Sequence, residues 1–351
     1  MRNLSKLCSI LFLILFAPKV SAVAVQSIYE ANVPVVSQSD KDRIPAEKIA
    51  LEQVLIKVSG NSHILENNPK VKASLNHAED LVGEFNYVSS PDTQAKQPFI
   101  MTVRFDSEAV NALLRDAGST VWGQSRPLIL VWLAYLGPKH PLDVVDSSDL
   151  VIPSTLKVAA QERGIPFIFP MMDVSELNAV SVADVLGKNL PPLQLAAQRY
   201  ASNGILIGHV TESDKGFDTD WELVLAPDHW SWNIPGKNLQ EVLNKVVNNI
   251  ADTLAGRYSA VMTNTVQSQV ILRVTGVKQQ SDLVQLMQYL QKLTPVADVQ
   301  LKNVNGAEVI LDLSLRGSKD SFIQAAALSR NLQPVSGGNE QDPSLQYQWN
   351  P

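Results

Sequence analysis

The 351-residue chain carries 29 basic and 35 acidic residues, a formal net charge of −6, and is 45% hydrophobic and 18% charged. That balance supplies ample material for buried cores and excludes the weakly hydrophobic, highly charged composition of a disordered chain. It offers no dense basic face of the kind that neutralises phosphate backbones, so no nucleic-acid partner is expected.

The first residues read as an export leader. Arg2 and Lys6 precede an unbroken apolar run over 10–16, then Pro18 and the small pair Ser21 and Ala22. This is the order of charge, apolar core and cleavage site in a secretory signal peptide. Val20 and Ala22 fall three residues and one residue before the cut, so cleavage is expected between Ala22 and Val23, with Ala24 as the fallback start. The run is about half the ~20 apolar residues that a bilayer crossing needs, which argues against a membrane anchor. Cys8, the single cysteine, lies ahead of the apolar core, where a lipoprotein cysteine cannot sit, and leaves with the leader. The mature chain then has no thiol to oxidise and depends on burial for stability. Loss of Arg2, Lys6 and Lys19 takes the formal charge to −9. After the leader the longest apolar stretch, 128–136, is too short to span and reads as a buried strand. A periplasmic protein with no transmembrane segment after leader removal (1–22) is expected.

Residues 23–122 read as a small α+β unit. A strand over 27–36 passes through Ser39 and Asp40 into a helix with Pro45 in its first turn, an apolar stripe of Ile49, Ala50, Val54, Leu55 and Val58, and Gly60 at its end. A weaker helix over 69–81 precedes strands at 85–89 and 99–105. Ser107 then caps a helix running through Val110, Leu113 and Leu114 to Gly118.

Residues 123–262 read as a mixed-sheet α/β unit. It opens with a strand over 127–135, a helix over 153–163, a strand over 165–169, and helical stretches at 181–186 and 192–200. Three strands follow at 204–210, 221–225 and 230–234, separated by polar turn residues as a meander requires. A helix carrying Leu239, Val242, Leu243, Val246, Val247, Ile250 and Leu254 at 3.6-residue spacing closes the unit.

Residues 267–351 give the order βαββαβ, the ferredoxin-like motif. Val270, Leu272 and Val274 mark the first strand; Leu283, Leu286, Met287, Leu290 and Leu293 line a helix. Val299 and Leu301 are joined through Asn305-Gly306 to Val309, Leu311, Leu313 and Leu315, and Asn-Gly between alternating runs signals a hairpin. A helix with Phe322, Ala325, Leu328 and Leu332 on one stripe leads to a last strand of Leu345, Tyr347 and Trp349. The expected fold class is thus α/β and α+β multidomain.

Chemical motifs are sparse. Ser154 and Lys157 form a Ser-x-x-Lys match, but the Ser-Asp-Asn and Lys-Thr-Gly partners of that penicillin-binding chemistry are missing, and Ser154 reads as a capping residue after Pro153. His63, His77, His140, His209 and His229 show no metal-ligand spacing. The loop over 214–220 is rich in carboxylates yet lacks the spacing of a calcium loop and reads as a polar hairpin tip. Asp143, Asp146 and Asp149 read as a solvated stretch favouring the start of the next helix. The third C-terminal strand, 309–315, has no stacking aromatic for RNA, and Gly337-Gly338 reads as a loop, not a phosphate cradle. The most suggestive cluster is Trp221, His229, Trp230 and Trp232. Trp230 and Trp232, two apart on one strand, share a face: exposed, they make a platform for a sugar ring or partner chain; buried, they are core, which cross-strand packing favours.

The run from Ala50 to Gly60, Val131-Trp132 within 128–133, Ile205 to Gly208, Trp221, Trp232, Ala255 to Tyr258 and the closing Tyr347-Gln348-Trp349, taken in order, resemble the landmarks of the bacterial DUF2066 family across most of the mature chain. The resemblance implies an envelope protein and no particular reaction. The middle unit is similar in element order to the N-terminal domain of the translocation protein TolB and to curli-export and flagellar accessory domains, which act as assembly and docking modules; the likeness is one of fold.

The leader, the unit order and the missing catalytic constellation together imply an exported, non-enzymatic accessory or scaffold protein, without cofactor or metal, that docks other envelope proteins through its middle and C-terminal units. Two alternatives stay open. One is a glycan- or peptidoglycan-binding module using Trp221, His229, Trp230 and Trp232; the other is a hydrolase whose residues meet only in three dimensions.

Overall fold

A computed structural model describes residues 28–91, 94–138, 140–149, 151–261, 266, 268–335 and 344–351. The expected leader with its Ala22–Val23 junction, and Gly337-Gly338, lie outside these residues. The described chain is mixed α/β, with sheets of three, six, two and five strands and no helix long and apolar enough to cross a membrane.

The first unit comprises β1 (Glu30–Val35), α1 (Asp40–Ser59), α2 (Ile64–Asn67), α3 (Pro69–Ser74), β2 (Val82–Ser89), β3 (Phe99–Phe105), α4 (Ser107–Asp116) and β4 (Thr120–Val121). Its sheet has the order β1-β3-β2, all antiparallel. The alternation that turns Val33, Val35, Met101, Val103 and Phe105 to one face seats them on Ala50, Leu51, Val54, Leu55 and Val58 of α1. Three local expectations change. α1 begins at Asp40, so Pro45 lies inside the helix, while Asp40 and Asp42 occupy the dipole-favoured first turn. The helix expected over 69–81 stops at Ser74 and tightens to a 3₁₀ turn over Leu75–Leu81, where His77 leaves helical backbone. Asp106, not Ser107, is the N-cap, accepting from the Ala109 N–H.

The second unit comprises β5 (Ile129–Gly137), β6 (His140–Val144), α5 (Ile152–Glu162), β7 (Phe167–Ile168), α6 (Val174–Ala179), α7 (Val182–Leu186), α8 (Leu190–Ala197), β8 (Gly204–Ser213), β9 (Gly216–Leu225), β10 (Asp228–Asn233), α9 (Leu239–Tyr258) and β11 (Ala260–Val261). The sheet order is β10-β9-β8-β5-β6, with β7 also beside β5; β5 is parallel to β7 and β8, and the other pairs are antiparallel. Central β5 is covered on both sides. Ile129, Val131 and Leu133 join the core under α5 and α9, while Leu130, Trp132 and Ala134 join the core under α7 and α8. This double burial is why the sequence reads there as one unbroken apolar run. The meander is longer than expected: Asp218 and Asp220 belong to β9 and not to the turn. Ser154 falls inside the first turn of α5, and the Asp149 carboxylate instead accepts from the Val151 and Ile152 N–H groups.

The third unit comprises β12 (Ser268–Thr275), α10 (Gln280–Lys292), β13 (Val296–Asn305), β14 (Glu308–Leu315), α11 (Lys319–Ala327), β15 (Leu332–Pro334) and β16 (Leu345–Trp349). The sheet order is β13-β14-β12-β16-β15. This departs from the plain βαββαβ arrangement, whose last strand lies antiparallel to the first. Here β16 runs parallel to β12, and an extra short strand, β15, is added antiparallel at the edge. Leu332 sits in β15 and not on the preceding helix. One face of the sheet is buried under α10 and α11 through Leu286, Leu290, Phe322 and Ala326; Gln269, Ile271 and Thr275 on the opposite face of β12 are exposed.

Candidate functional site

The meander places the aromatic cluster unambiguously. Trp232 is the register partner of Trp221, and Trp230 of Leu223; residues directly opposite share a face, so the three indoles point one way. That way is inward. Trp221 is wholly buried in the core with Leu243, Val246 and Val247 of α9, and Trp230 and Trp232, on the edge strand β10, are half-buried against the same core. Trp221 is closed off from any ligand, while Trp230 and Trp232 keep part of their surface at the sheet edge. His229 lies on the opposite face, exposed, with Nδ1 3.3 Å from Glu222 Oε1. Glu222 and Asp220 there flank Lys188, whose Nζ is 3.7 and 2.9 Å from them. The sheet itself therefore separates His229 from the tryptophans.

The other motifs do not converge either. Ser154 is exposed, and the Lys157 ammonium lies over the Phe169 ring, 5.4 Å from its centroid. His63 meets Glu66 at 2.8 Å and His209 meets Thr211 at 3.1 Å. Among the described residues no group of three His, Cys, Asp or Glu side chains could hold a metal ion.

The most constructed polar site is one that the sequence did not announce. A helix leaves its last carbonyls without intrahelical donors, and at the end of α1 these are met by groups from beyond its own unit's core. The Arg126 guanidinium donates to Lys57 O (2.9 Å), the Trp122 N–H to Val58 O (2.7 Å), the Thr120 hydroxyl to Ser59 O (3.1 Å) and the Arg163 guanidinium to Gly60 O (3.0 Å). Two guanidinium groups at a helix C-terminus also complement its dipole. Arg126 is stacked on Trp122, 3.6 Å from the ring centroid, and donates further to Trp122 O and Gly123 O at 2.6 Å each. Arg163 is tied to Asp252 Oδ1 (2.7 Å) and Asn248 Oδ1 (2.6 Å) on α9, and Asp252 in turn accepts from the Ser62 N–H and hydroxyl. Gly60 lets α1 and α9 touch. Its φ is +73°, and a Cβ built there would stand 2.2 Å from the Ala255 Cβ.

Burial drives the electrostatics of this seam. It holds the Arg126 guanidinium well below its ordinary range, and pushes the Lys57 ammonium down to about 8, with repulsion from Arg126 adding to it. Lys57 Nζ donates to Glu30 O at 2.8 Å. Glu162, nearby, is raised by burial. Most of these donors face backbone carbonyls or side-chain oxygens, an arrangement suited to locking two units together.

Several strongly exposed apolar side chains lie on the helical layer of the middle unit. Val174 and Leu177 of α6, Leu195 of α8 and Met171 just before α6 are 76%, 61%, 66% and 60% exposed. Val174 and Leu177, three apart, share a helix face, and α6 contacts α8. Beneath them the structure is firmly tied: Glu176 is buried and accepts from the Met172 N–H and the Tyr200 hydroxyl.

Residues 22–123 match the model of a family described as a domain of unknown function, DUF8605. No curated protein matches the chain. The resemblance to DUF2066 does not hold: the matching domain is a different one, and it covers the first unit, not most of the chain. The landmarks behind that resemblance, such as Leu130 to Leu133 and Ile205 to Ile207, are buried strand residues. Any doubly covered sheet demands such runs, whatever its family.

Proposed function

We propose that the protein is a non-enzymatic docking or scaffold component that is exported to the bacterial periplasm and built from units at 23–122, 123–262 and 267–351. The observation that carries this reading is the exposed apolar group Met171, Val174, Leu177 and Leu195 on a rigidly anchored helical layer, since apolar surface held out to water marks interaction sites. The bare face of the C-terminal sheet and its long edge strand β13, with Leu301 and Val304 exposed, offer a second surface of the kind that pairs with another chain. Element order supports a likeness of the middle unit to the docking domain of TolB and to curli-export domains. The β12-α10-β13-β14-α11 stretch supports a ferredoxin-like ancestry for the last unit. Arg2, Lys6 and the apolar run over 10–16 support export.

The test is photo-crosslinking in the native host, with a photoreactive residue at position 177, at 195, or at the control position Glu52 on α1. A discrete, reproducible envelope-protein adduct from 177 and 195 but not from 52 is expected. Recovery of monomer alone from both patch positions would overturn the docking reading.

A further inference from the structure

The first and third units also face each other across a polar cleft of about 180 Å³, far more than the roughly 10–15 Å³ that admits one water. Its lining carries Arg115 of α4 from the first unit and Lys292 and Arg316 from the third, together with Gln124 and Gln291. Among the described residues Glu108 is the one carboxylate lining it, its Oε2 3.9 Å from an Arg115 Nη. Buried Tyr29 forms part of the wall and donates to Asn111 Oδ1 at 3.1 Å. Among the described residues nothing engages the Arg316 guanidinium or the Lys292 ammonium, although Arg316 is half-buried.

A half-buried guanidinium without a counter-charge, facing a second guanidinium and an ammonium, is costly unless an anion joins it. With Arg115 already engaged, by Glu108 among others, Arg316 and Lys292 leave two uncompensated positive charges. That matches a dianion better than a monocarboxylate, and the guanidinium forks suit its tetrahedral oxygens. We propose that this cleft is a binding site for a phosphate group, free or carried on a small ester, bridged between Arg115 of the first unit and Lys292 and Arg316 of the third. The site is independent of the docking patch, which lies on the middle unit.

Isothermal titration of the intact mature chain tests it, using inorganic phosphate, glycerol phosphate, acetate and sodium chloride at matched ionic strength. Saturable binding of phosphate is expected, with acetate at least tenfold weaker and chloride silent; the glycerol phosphate arm separates an ester site from a free-ion site. Lys292→Gln, at an exposed position, and Arg316→Gln should each weaken phosphate binding at least tenfold, while Lys72→Gln on α3 leaves it unchanged. Circular dichroism confirms that each variant is folded. Phosphate heats no different from chloride, or binding untouched in both cleft variants, would overturn the proposal.

Discussion

The first unit meets its two neighbours in opposite ways. Against the middle unit it presents the end of α1, whose last carbonyls are taken up by Arg126 and Arg163 of that unit and by Thr120 and Trp122 of the segment leading into it, so every cation there has an oxygen to face. Against the C-terminal unit it presents Arg115 across a polar cleft from Lys292 and Arg316, and charge of one sign is left facing itself. Arginine is buried in the first case as a helix cap; in the second, Arg316 is half-buried with no counter-charge among the described residues. The same residue type thus marks a fastening in one place and a proposed anion contact in the other, and only the partners distinguish them.

The comparison breaks most readily at Gly60. Gly60→Ala forces a side chain into a left-handed backbone and against Ala255, and a loss of about 2–4 kcal/mol is expected in urea unfolding. A change under about 0.5 kcal/mol would show that α1 and α9 are not in fixed contact. Asp252→Ala removes the carboxylate that holds Arg163 and Ser62. Because Asp252 is itself part-exposed, the expected loss is smaller, about 1–3 kcal/mol, read in the same experiment.

A third test uses pH. Below about pH 8 Lys57 is charged in both the folded and the unfolded chain, and the cost of burying that charge is carried in full. Between about 8 and its ordinary 10.5 the unfolded chain holds the proton more tightly, so stability gains with rising pH. Above pH 10 the buried tyrosines reverse the trend. Tyr289, pushed up to about 12 by burial, stays protonated when folded and ionises when unfolded. Melting temperatures of Lys57→Met should therefore lack the rise that the parent chain shows between pH 8 and 10; parallel curves would remove Lys57 from the seam. The smallest effect belongs to the cleft. Without phosphate, Arg316→Gln should change stability by no more than about 0.5 kcal/mol, or stabilise slightly, since it relieves like charge. A loss comparable to that of Asp252→Ala would make Arg316 a fastening too.

Legibility followed the length of the periodic signal. The stripe of α9 and the alternation of β3, β12 and β14 were readable because each repeats its period several times against one core. Two-residue β4 and β11, and the three-residue β15, were not: their pairing is imposed by the neighbours they meet. Pro45 and Ser107 misled because a helix start is decided by where the chain leaves extended backbone, at Ser39 and Asp106, and not by the best-looking residue nearby. The shared face of Trp230 and Trp232 was legible, but burial of Trp221 needed α9 in place. Neither arginine site showed at all. Arg126, Arg163 and Asp252, like Arg115, Lys292 and Arg316, lie far apart in sequence, and an isolated arginine reads by default as surface.

Native-state hydrogen exchange on the intact chain tests the contrast most directly. The Trp122 N–H, bonded to Val58 O, and the Ser62 N–H, bonded to Asp252, should exchange only when middle-unit amides such as that of Leu206 do, while Leu311 in the third unit opens at its own rate. If Trp122 and Ser62 instead lose protection well before Leu206, the first two units are not fastened as one body, and the account of the seam is wrong.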